Sequence, residues 1–476
     1  MRPSAVLCHS PALIFIQRTG YVIAHAYRAA AALVTIGIFL GGCGGSGGGG
    51  AGGSPPPAGP VINQFTSDRS AYYVGDSALL TATFANGTGV LQPDDIPVHS
   101  GQPVAISDLT RTIRYRLIVT SGGQSVSRDL DLSVSYRERT RALEMPFARA
   151  EHAAATLQDG RVIIFGGEDN GSVFPDSVWA FDPGTERFSE ISELATGRVG
   201  FVSVTLFDGD ILIVGGIRSL TGSPRAERID GDTGATSPLA SAPQRERVFA
   251  AASPLLDGTV LISGGSIGAI PDDTVEIYDP AADTFTLLPG SLQVARAQHS
   301  SVRINDRRVL IYGGHTIDGQ PAPPELYDPV AARSTLLPAP EPGARSRHVV
   351  HTMIDGGVLI LGGVNEEDEP ISSILRFDPA SSTFSPFASM ATSRASFAVG
   401  RLVDSRLLIA GGTHSFAGAG TDTTEIVAVD GGRRDGPVMT RTRFLHTATL
   451  LLSGKVLVVG GLDESRRPLA SAEVFE

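Results

Sequence analysis

The sequence predicts an all-β protein in which a small β domain precedes seven repeated four-stranded units. Two series of residues carry the repeat. Gly-Gly pairs that end apolar runs begin at Gly166, Gly215, Gly264, Gly313, Gly362, Gly411 and Gly460, with a constant step of 49 residues. Arginines upstream of them fall at Arg149, Arg198, Arg247, Arg296, Arg345, Arg394 and Arg443, with the same step. A fixed period over seven units marks a repeat architecture in which each unit is one supersecondary element. Composition is the third observation. Hydrophobic residues make up 42% and charged residues 18%, which supplies a core and excludes a wholly disordered chain. The 56 glycines and 31 prolines favour many turns over long helices.

The N-terminus reads as an address. Residues 1–42 carry Arg2, Arg18 and Arg28 as their only charges, and residues 29–40 form an apolar run. A run of that length suits a signal peptide and is too short to span a bilayer. It closes as Leu40-Gly41-Gly42-Cys43, which resembles a bacterial lipobox. The resemblance implies cleavage after Gly42, thioether lipidation of Cys43 and acylation of the new N-terminus. Several acyl chains anchor a protein stably. By the same resemblance, Gly44 rather than Asp after the cysteine implies the outer membrane, on its periplasmic or surface face, if the cell is Gram-negative. The charged region is long for a signal, and a start near Val22 gives a more ordinary one. Residues 43–60 are Gly- and Pro-rich and form a tether that holds the folded part off the lipid.

Charge and cysteine content narrow the partners. The net charge is −12, and loss of the three arginines of residues 1–42 takes it to −15. Neither value suits a nucleic-acid backbone, so no nucleic-acid partner is expected. The two cysteines, Cys8 and Cys43, leave no disulfide framework and no Cys-rich zinc site.

Residues 61–136 alternate short apolar runs with turn residues. Residues 78–84 form a period-two strand, and Asn86-Gly87 follows as a turn. Strands are expected at 115–120 and 130–136, joined by Gly122-Gly123. This spacing suits a β-sandwich and resembles bacterial immunoglobulin-like modules. His99, alone in a loop, is expected to be solvated.

Residues 137–476 hold the repeat. In each unit a first strand follows the arginine, as at 299–304. A tight turn comes next, often Asp-Gly, and Asp159, Asp208, Asp257, Asp306, Asp355 and Asp404 keep the 49-residue step, with Ser453 in the seventh place. The second strand is the apolar run into Gly-Gly, as at 309–314. A third strand ends in an acid, as at 276–279, and a fourth follows, as at 284–288. Phe181-Asp182-Pro183, Tyr278-Asp279-Pro280, Tyr327-Asp328-Pro329 and Phe377-Asp378-Pro379 mark the third-strand end. Together with the Gly-Gly pairs these motifs resemble the kelch repeat. The resemblance implies a seven-bladed kelch-type β-propeller preceded by a small Ig-like β-sandwich. The last unit stops after its third strand at Glu476. Shifting the first unit's fourth strand back by one period lands on residues 137–145, which are expected to complete the last blade and remove an exposed edge.

Residues present in every unit are expected to serve the unit. Each repeated arginine is expected to pair with backbone carbonyls or with an acid, among Glu227, Glu276, Glu325, Glu425 and Glu473. The other reading is a cationic ring for an anionic ligand. Three residues past the arginine stand His152, His299, His348 and His446, but also Phe201, Ala250 and Phe397. A ligand position would not tolerate Phe and Ala, so packing is expected there and no metal. Residues 264–268 spell Gly-Gly-Ser-Ile-Gly, but they lie at the repeat's own Gly-Gly and lack a strand-to-helix elbow.

Function is expected where the units differ. The loops after Gly-Gly supply Glu168, Asp169, Arg218, His315, Asn365, Glu367, His414, Asp463 and Glu464, and related propellers put these loops on one face with the loops before the first strand. Three of the loops are acidic, which suits a cationic, basic or sugar ligand. The reading is a lipid-anchored binding or protein-interaction module without a cofactor, with an envelope protein or polysaccharide as partner. The alternative is a carbohydrate-active enzyme, which requires two carboxyl groups converging at the mouth, one with a raised pKa. The chain also resembles galactose oxidase, a kelch propeller with accessory β domains. That resemblance implies copper held by two Tyr and two His, with a Tyr–Cys cross-link. The processed chain keeps only Cys43, the lipidation site, and no β domain follows Glu476 to supply a distal His, so that chemistry is not expected.

Overall fold

The computed structural model describes residues 58–171, 174–217, 225–304, 307–340, 342–414 and 420–476. Residues 1–42, Cys43 and the tether up to residue 57 lie outside the described residues, as does Arg218. The described chain forms two compact units. One holds residues up to 72 and 76–135, the other residues 73–75 and 136–476.

Two larger antiparallel sheets form most of the described part of the smaller unit. Val61–Ser67, Ala78–Ala85 and Pro103–Ile106 form one. Ile96–Val98, Thr88–Gln92, Ile113–Ser121 and Gln124–Leu132 form the other, in that order. Ala78, Leu80 and Ala82 point inward while Leu79 is exposed, as the two-residue period of a strand requires. They share a core with Phe65, Leu91, Leu117, Val119 and Leu132. The expected strand at 130–136 is displaced: the partner of Ile113–Ser121 begins directly after Gly122-Gly123, at Gln124. Its outward positions are polar, which hid it from an apolar reading. Arg114–Asp131 and Arg116–Asp129 pair across this hairpin, each at 2.6 Å.

The larger unit contains, among the described residues, seven four-stranded antiparallel sheets, of which the first six along the chain are simple meanders. The first runs Ala153–Thr156, Val162–Phe165, Ser177–Asp182 and Arg187–Glu193. The last is assembled from both ends of the unit. Thr140–Glu144 pairs with Ser471–Phe475, in register from Thr140↔Phe475 to Glu144↔Ser471, outside Val456–Val459 and Thr447–Leu450. The second strands are buried throughout, because each sheet packs face to face on its neighbours. Leu310 and Tyr312 share a core with Val358 and Ile360 of the next sheet. Val162 and Ile164 of the first sheet share one with Leu457, Val459 and Val474 of the last. Burial of such a side chain contributes roughly 1.5–3 kcal/mol relative to exposure.

The turn between first and second strands shows how the sequence sets local geometry. Gly160 N–H bonds to Leu157 C=O at 3.0 Å, and Leu157 N–H bonds to Arg161 C=O at 2.8 Å. This is a three-residue hairpin loop whose third residue is left-handed. That residue has positive φ in all seven units, including Arg307 (76°) and Ser405 (70°), where glycine is replaced. The repeated aspartate accepts the N–H two residues on, as Asp257 does from Thr259 at 3.0 Å.

Candidate functional site

The seven repeated arginines are structural. Each is at most 1% exposed. Each donates from Nη1 to the carbonyl of the first glycine of its own pair, for example Arg149 to Gly166 at 2.9 Å, Arg247 to Gly264 at 2.7 Å and Arg443 to Gly460 at 2.7 Å. Five also meet a buried glutamate: Arg247–Glu276 at 2.9 Å, Arg394–Glu425 at 2.7 Å, Arg443–Glu473 at 2.8 Å, and the close pairs Arg198–Glu227 and Arg296–Glu325. The other carboxylate oxygen of each glutamate accepts a backbone N–H from the preceding connection, as Glu276 does from Gln244 at 2.9 Å. Arg149 and Arg345 bond to Ser177 and Ser373 instead. None of the seven is presented as a cationic ring.

The arginine backbone joins units. The second glycine of a pair donates to the carbonyl of the next unit's arginine, as in Gly167 to Arg198 and Gly265 to Arg296, both at 2.9 Å. Gly461 of the last unit donates to Arg149 of the first at 2.9 Å. The first glycine is required for close approach as well as for its positive φ. A Cβ on Gly313 would lie 2.0 Å from Arg345 O and 2.8 Å from His348 Cε1. His299, His446 and His152 abut Gly264, Gly411 and Gly460 in the same way, and Phe201 and Phe397 take that place against Gly166 and Gly362. These histidines are packing residues. Burial pushes the His348 imidazole down to about 3 and the His299 imidazole well below its ordinary value. Among the described residues no three His, Cys, Asp or Glu side chains gather as a metal's ligands would.

The variable loops divide into two groups. Asp169, Asn365 and Asp463 build their own turns. Asp169 accepts from Gly171 N–H at 2.8 Å, Asn365 from Glu369 N–H at 2.8 Å, and Asp463 from Ser465 N–H at 2.8 Å. Glu367 is exposed, His414 bonds through Nδ1 to Ser393 O at 2.9 Å, and Glu464 accepts from the Thr442 hydroxyl at 2.7 Å. Glu168 and His315 are placed differently. Each forms a backbone bridge with the residue after its arginine, Ala150↔Glu168 and Ala297↔His315. The side chains of these two border the positions described next.

Those positions are two residues past each arginine: Glu151, Gly200, Phe249, Gln298, Arg347, Ser396 and Leu445. Sequence reasoning passed over them. All seven have φ between 52° and 67°. They are linked from unit to unit by backbone hydrogen bonds: Phe249 N–H to Gly200 O at 2.7 Å, Gln298 to Phe249 at 2.9 Å, Ser396 to Arg347 at 3.3 Å and Leu445 to Ser396 at 2.9 Å. Glu151 N–H to Leu445 O at 3.1 Å joins first unit to last. They stand at the entry to the first strands, Gly200 just inside its own, and these strands approach one another from unit to unit, including Ala153–Thr156 and Thr447–Leu450. They therefore ring the mouth of the axis. The signal that could have found them is a contrast: seven different residue types lie two places from an invariant arginine.

Electrostatics single out Glu151 within this ring. It is 5% exposed, and its Oε2 has no hydrogen-bond partner among the described residues. Beside it lies an apolar cluster of Ala150, Phe444, Leu445 and Leu462. Burial first, and then the Glu168 carboxyl, push its pKa well above the ordinary value. Burial, then Asp169, raises Glu168 as well. Elsewhere in the ring, burial lowers Arg347, and Asp368 opposes it from 4.0 Å.

Comparison with known proteins agrees with this geometry. The Kelch motif family matches residues 149–195 and 249–291. Beta-scruin of Limulus polyphemus is 30% identical over 94 residues, 20% of this chain and 10% of that protein. The chain thus matches about a tenth of that relative's length. A fungal alcohol oxidase of the AA5 family, solved in complex with copper, is similar in structure with a TM-score of 0.59 at 15% identity. The match covers 71% of this chain and 75% of that one. The fold is a kelch-type β-propeller.

Proposed function

We propose that this chain is a lipid-anchored interaction module of the bacterial cell envelope. In this reading Cys43 carries the acyl chains, residues 43–60 are the tether, residues 61–136 are an Ig-like spacer, and residues 137–476 are a seven-bladed ring closed by residues 137–145. The anchor predicts that Cys43→Ala moves the protein from the membrane to the soluble fraction, read by fractionation and by loss of radiolabelled palmitate. The binding face is the axial mouth. One observation carries it: residues repeated in every unit are consumed by bonds within the fold, while the position two past each arginine keeps one backbone geometry and holds seven different residue types. Kelch motifs and the beta-scruin match support a protein partner.

The test is affinity capture from detergent-solubilised envelopes with the full-length tagged protein and a variant carrying Phe249→Ser, Gln298→Ala and Arg347→Ala. A partner captured by the first and lost by the second supports the mouth. A partner kept by the variant overturns it and points to the strand-turn face, where Phe207, Leu256, Ile354 and Leu452 are 54–83% exposed.

A second reading has its own observation. Two carboxyl groups with raised pKa, Glu151 and Glu168, meet at the mouth, as a carbohydrate-active enzyme requires. Turnover of chromogenic glycosides that vanishes with Glu168→Gln would install it, and no turnover across a broad panel would remove it.

A further inference from the structure

We propose that the axial mouth is a receptor for a cationic side chain, an arginine or lysine of a protein partner, with Glu151 and Glu168 as its acceptors. The inference rests on the interaction-module reading and names the chemistry of the partner.

The fold leaves the Oε2 of Glu151 uncompensated. A buried carboxyl oxygen without a donor costs free energy, and folded chains retain few of them. Glu227, Glu276, Glu325, Glu425 and Glu473 each meet their unit's arginine, and the buried Glu476 meets Arg139 and Lys455. Glu151 has no such neighbour. The Arg149 guanidinium, two residues away, is turned to Gly166 O and Ser177 Oγ. The titratable group that bears on Glu151 is another acid, Glu168. The missing component is a donor with positive charge.

The surroundings fit the rest of such a side chain. Leu445 stands on one side of Glu151 in the ring and Gly200 on the other. Gly200 adds no side chain, and the Phe249 ring leans over it: a Cβ there would meet Phe249 Cε1 at 2.7 Å. A guanidinium or ammonium reaching Glu151 therefore has carboxyl oxygens ahead of it, an aliphatic wall at Leu445 and an aromatic face one position away, and an aromatic face itself attracts a cation. The chain's net charge of −12 favours the approach of a basic partner. The inserted cation favours the ionised carboxylate, so Glu151 gives up its proton as the cation binds.

The test uses the full lipidated protein in detergent and two peptides, acetyl-Gly-Arg-Gly-amide and its counterpart with uncharged citrulline in place of arginine. Calorimetry at pH 7 in buffers of different ionisation enthalpy reads affinity and proton release together. Expected results are an affinity about tenfold or more higher for the arginine peptide, and release of up to about one proton per ligand. Glu151→Gln should abolish both, while Glu144→Gln, exposed on the outer strand Thr140–Glu144, should change neither. Equal affinity for both peptides, or an arginine preference that survives Glu151→Gln, overturns the proposal. Thermal unfolding of each variant separates loss of the site from loss of the fold. The proposal and the reading beneath it fail differently. Capture lost with the mouth variant but without arginine preference leaves the module and removes the cation site. Capture retained by the mouth variant removes the mouth itself.

Discussion

At the scale of single residues, the repeated arginines and Glu151 behave in opposite ways. Arg247 is held by Gly264 O, Thr274 O and Glu276 in a dry site. Arg247→Met should therefore strand the Glu276 carboxylate and cost about 3–5 kcal/mol by urea unfolding. Arg149→Met should cost less, because no acid is paired with Arg149 and none is left behind. Glu151 and His348 give stability a pH dependence of two signs. The Glu151 carboxyl titrates above its ordinary 4.5 in the fold, so the folded state keeps a proton that the unfolded chain has lost, and its contribution declines as pH rises above that value. Glu151→Gln should raise the melting temperature at pH 8 and leave it unchanged near pH 4. His348 titrates at about 3 in the fold against an ordinary 6.5, so the unfolded chain takes up the proton first and stability declines as pH falls below 6.5. His348→Phe, the residue found in the same place at Phe201 and Phe397, should flatten that acid-side loss.

At the scale of elements, the turns were the most legible part. Asp-Gly at a fixed step announces a hairpin loop, and the left-handed third residue follows from its geometry. The same geometry appears at Arg307, where the sequence offers no glycine. Arg307 is exposed, so Arg307→Gly should relieve left-handed strain and stabilise the protein by about 0.5–1 kcal/mol, read by chemical denaturation. The small unit shows the limit of this reading. Gln124–Leu132 is polar on its outer positions and carries Asp129 and Asp131. Its strand character comes from cross-strand pairing with Arg116 and Arg114, which an apolar pattern does not show. The loops were legible only as a location. Asp169, Asn365 and Asp463 look like ligand-binding residues in sequence, but their side chains close their own turns.

At the scale of the whole larger unit, closure is the central device. Thr140–Glu144 enters the chain before the first sheet and completes the last one. Gly461 reaches Arg149, Glu151 reaches Leu445, and one hydrophobic cluster spans the first and last sheets. Deleting residues 471–476 removes the Glu473 partner of Arg443, the buried Val474 and Phe475 and the strand on which Thr140–Glu144 pairs. The deletion should turn one cooperative unfolding transition into a broad one and drive association, read by calorimetry and size-exclusion chromatography. The sequence by itself determined the period, the strand sequence of each unit and the turns. All of these rest on patterns within one unit or between one unit and the next. Only the tertiary structure decided which variable residues meet. Glu151 and Leu445 belong to opposite ends of the repeat, and they become neighbours because a closed ring brings first and last units together. The unpartnered Oε2 of Glu151 is likewise invisible in sequence, since burial and the lack of a partner are properties of the assembled mouth.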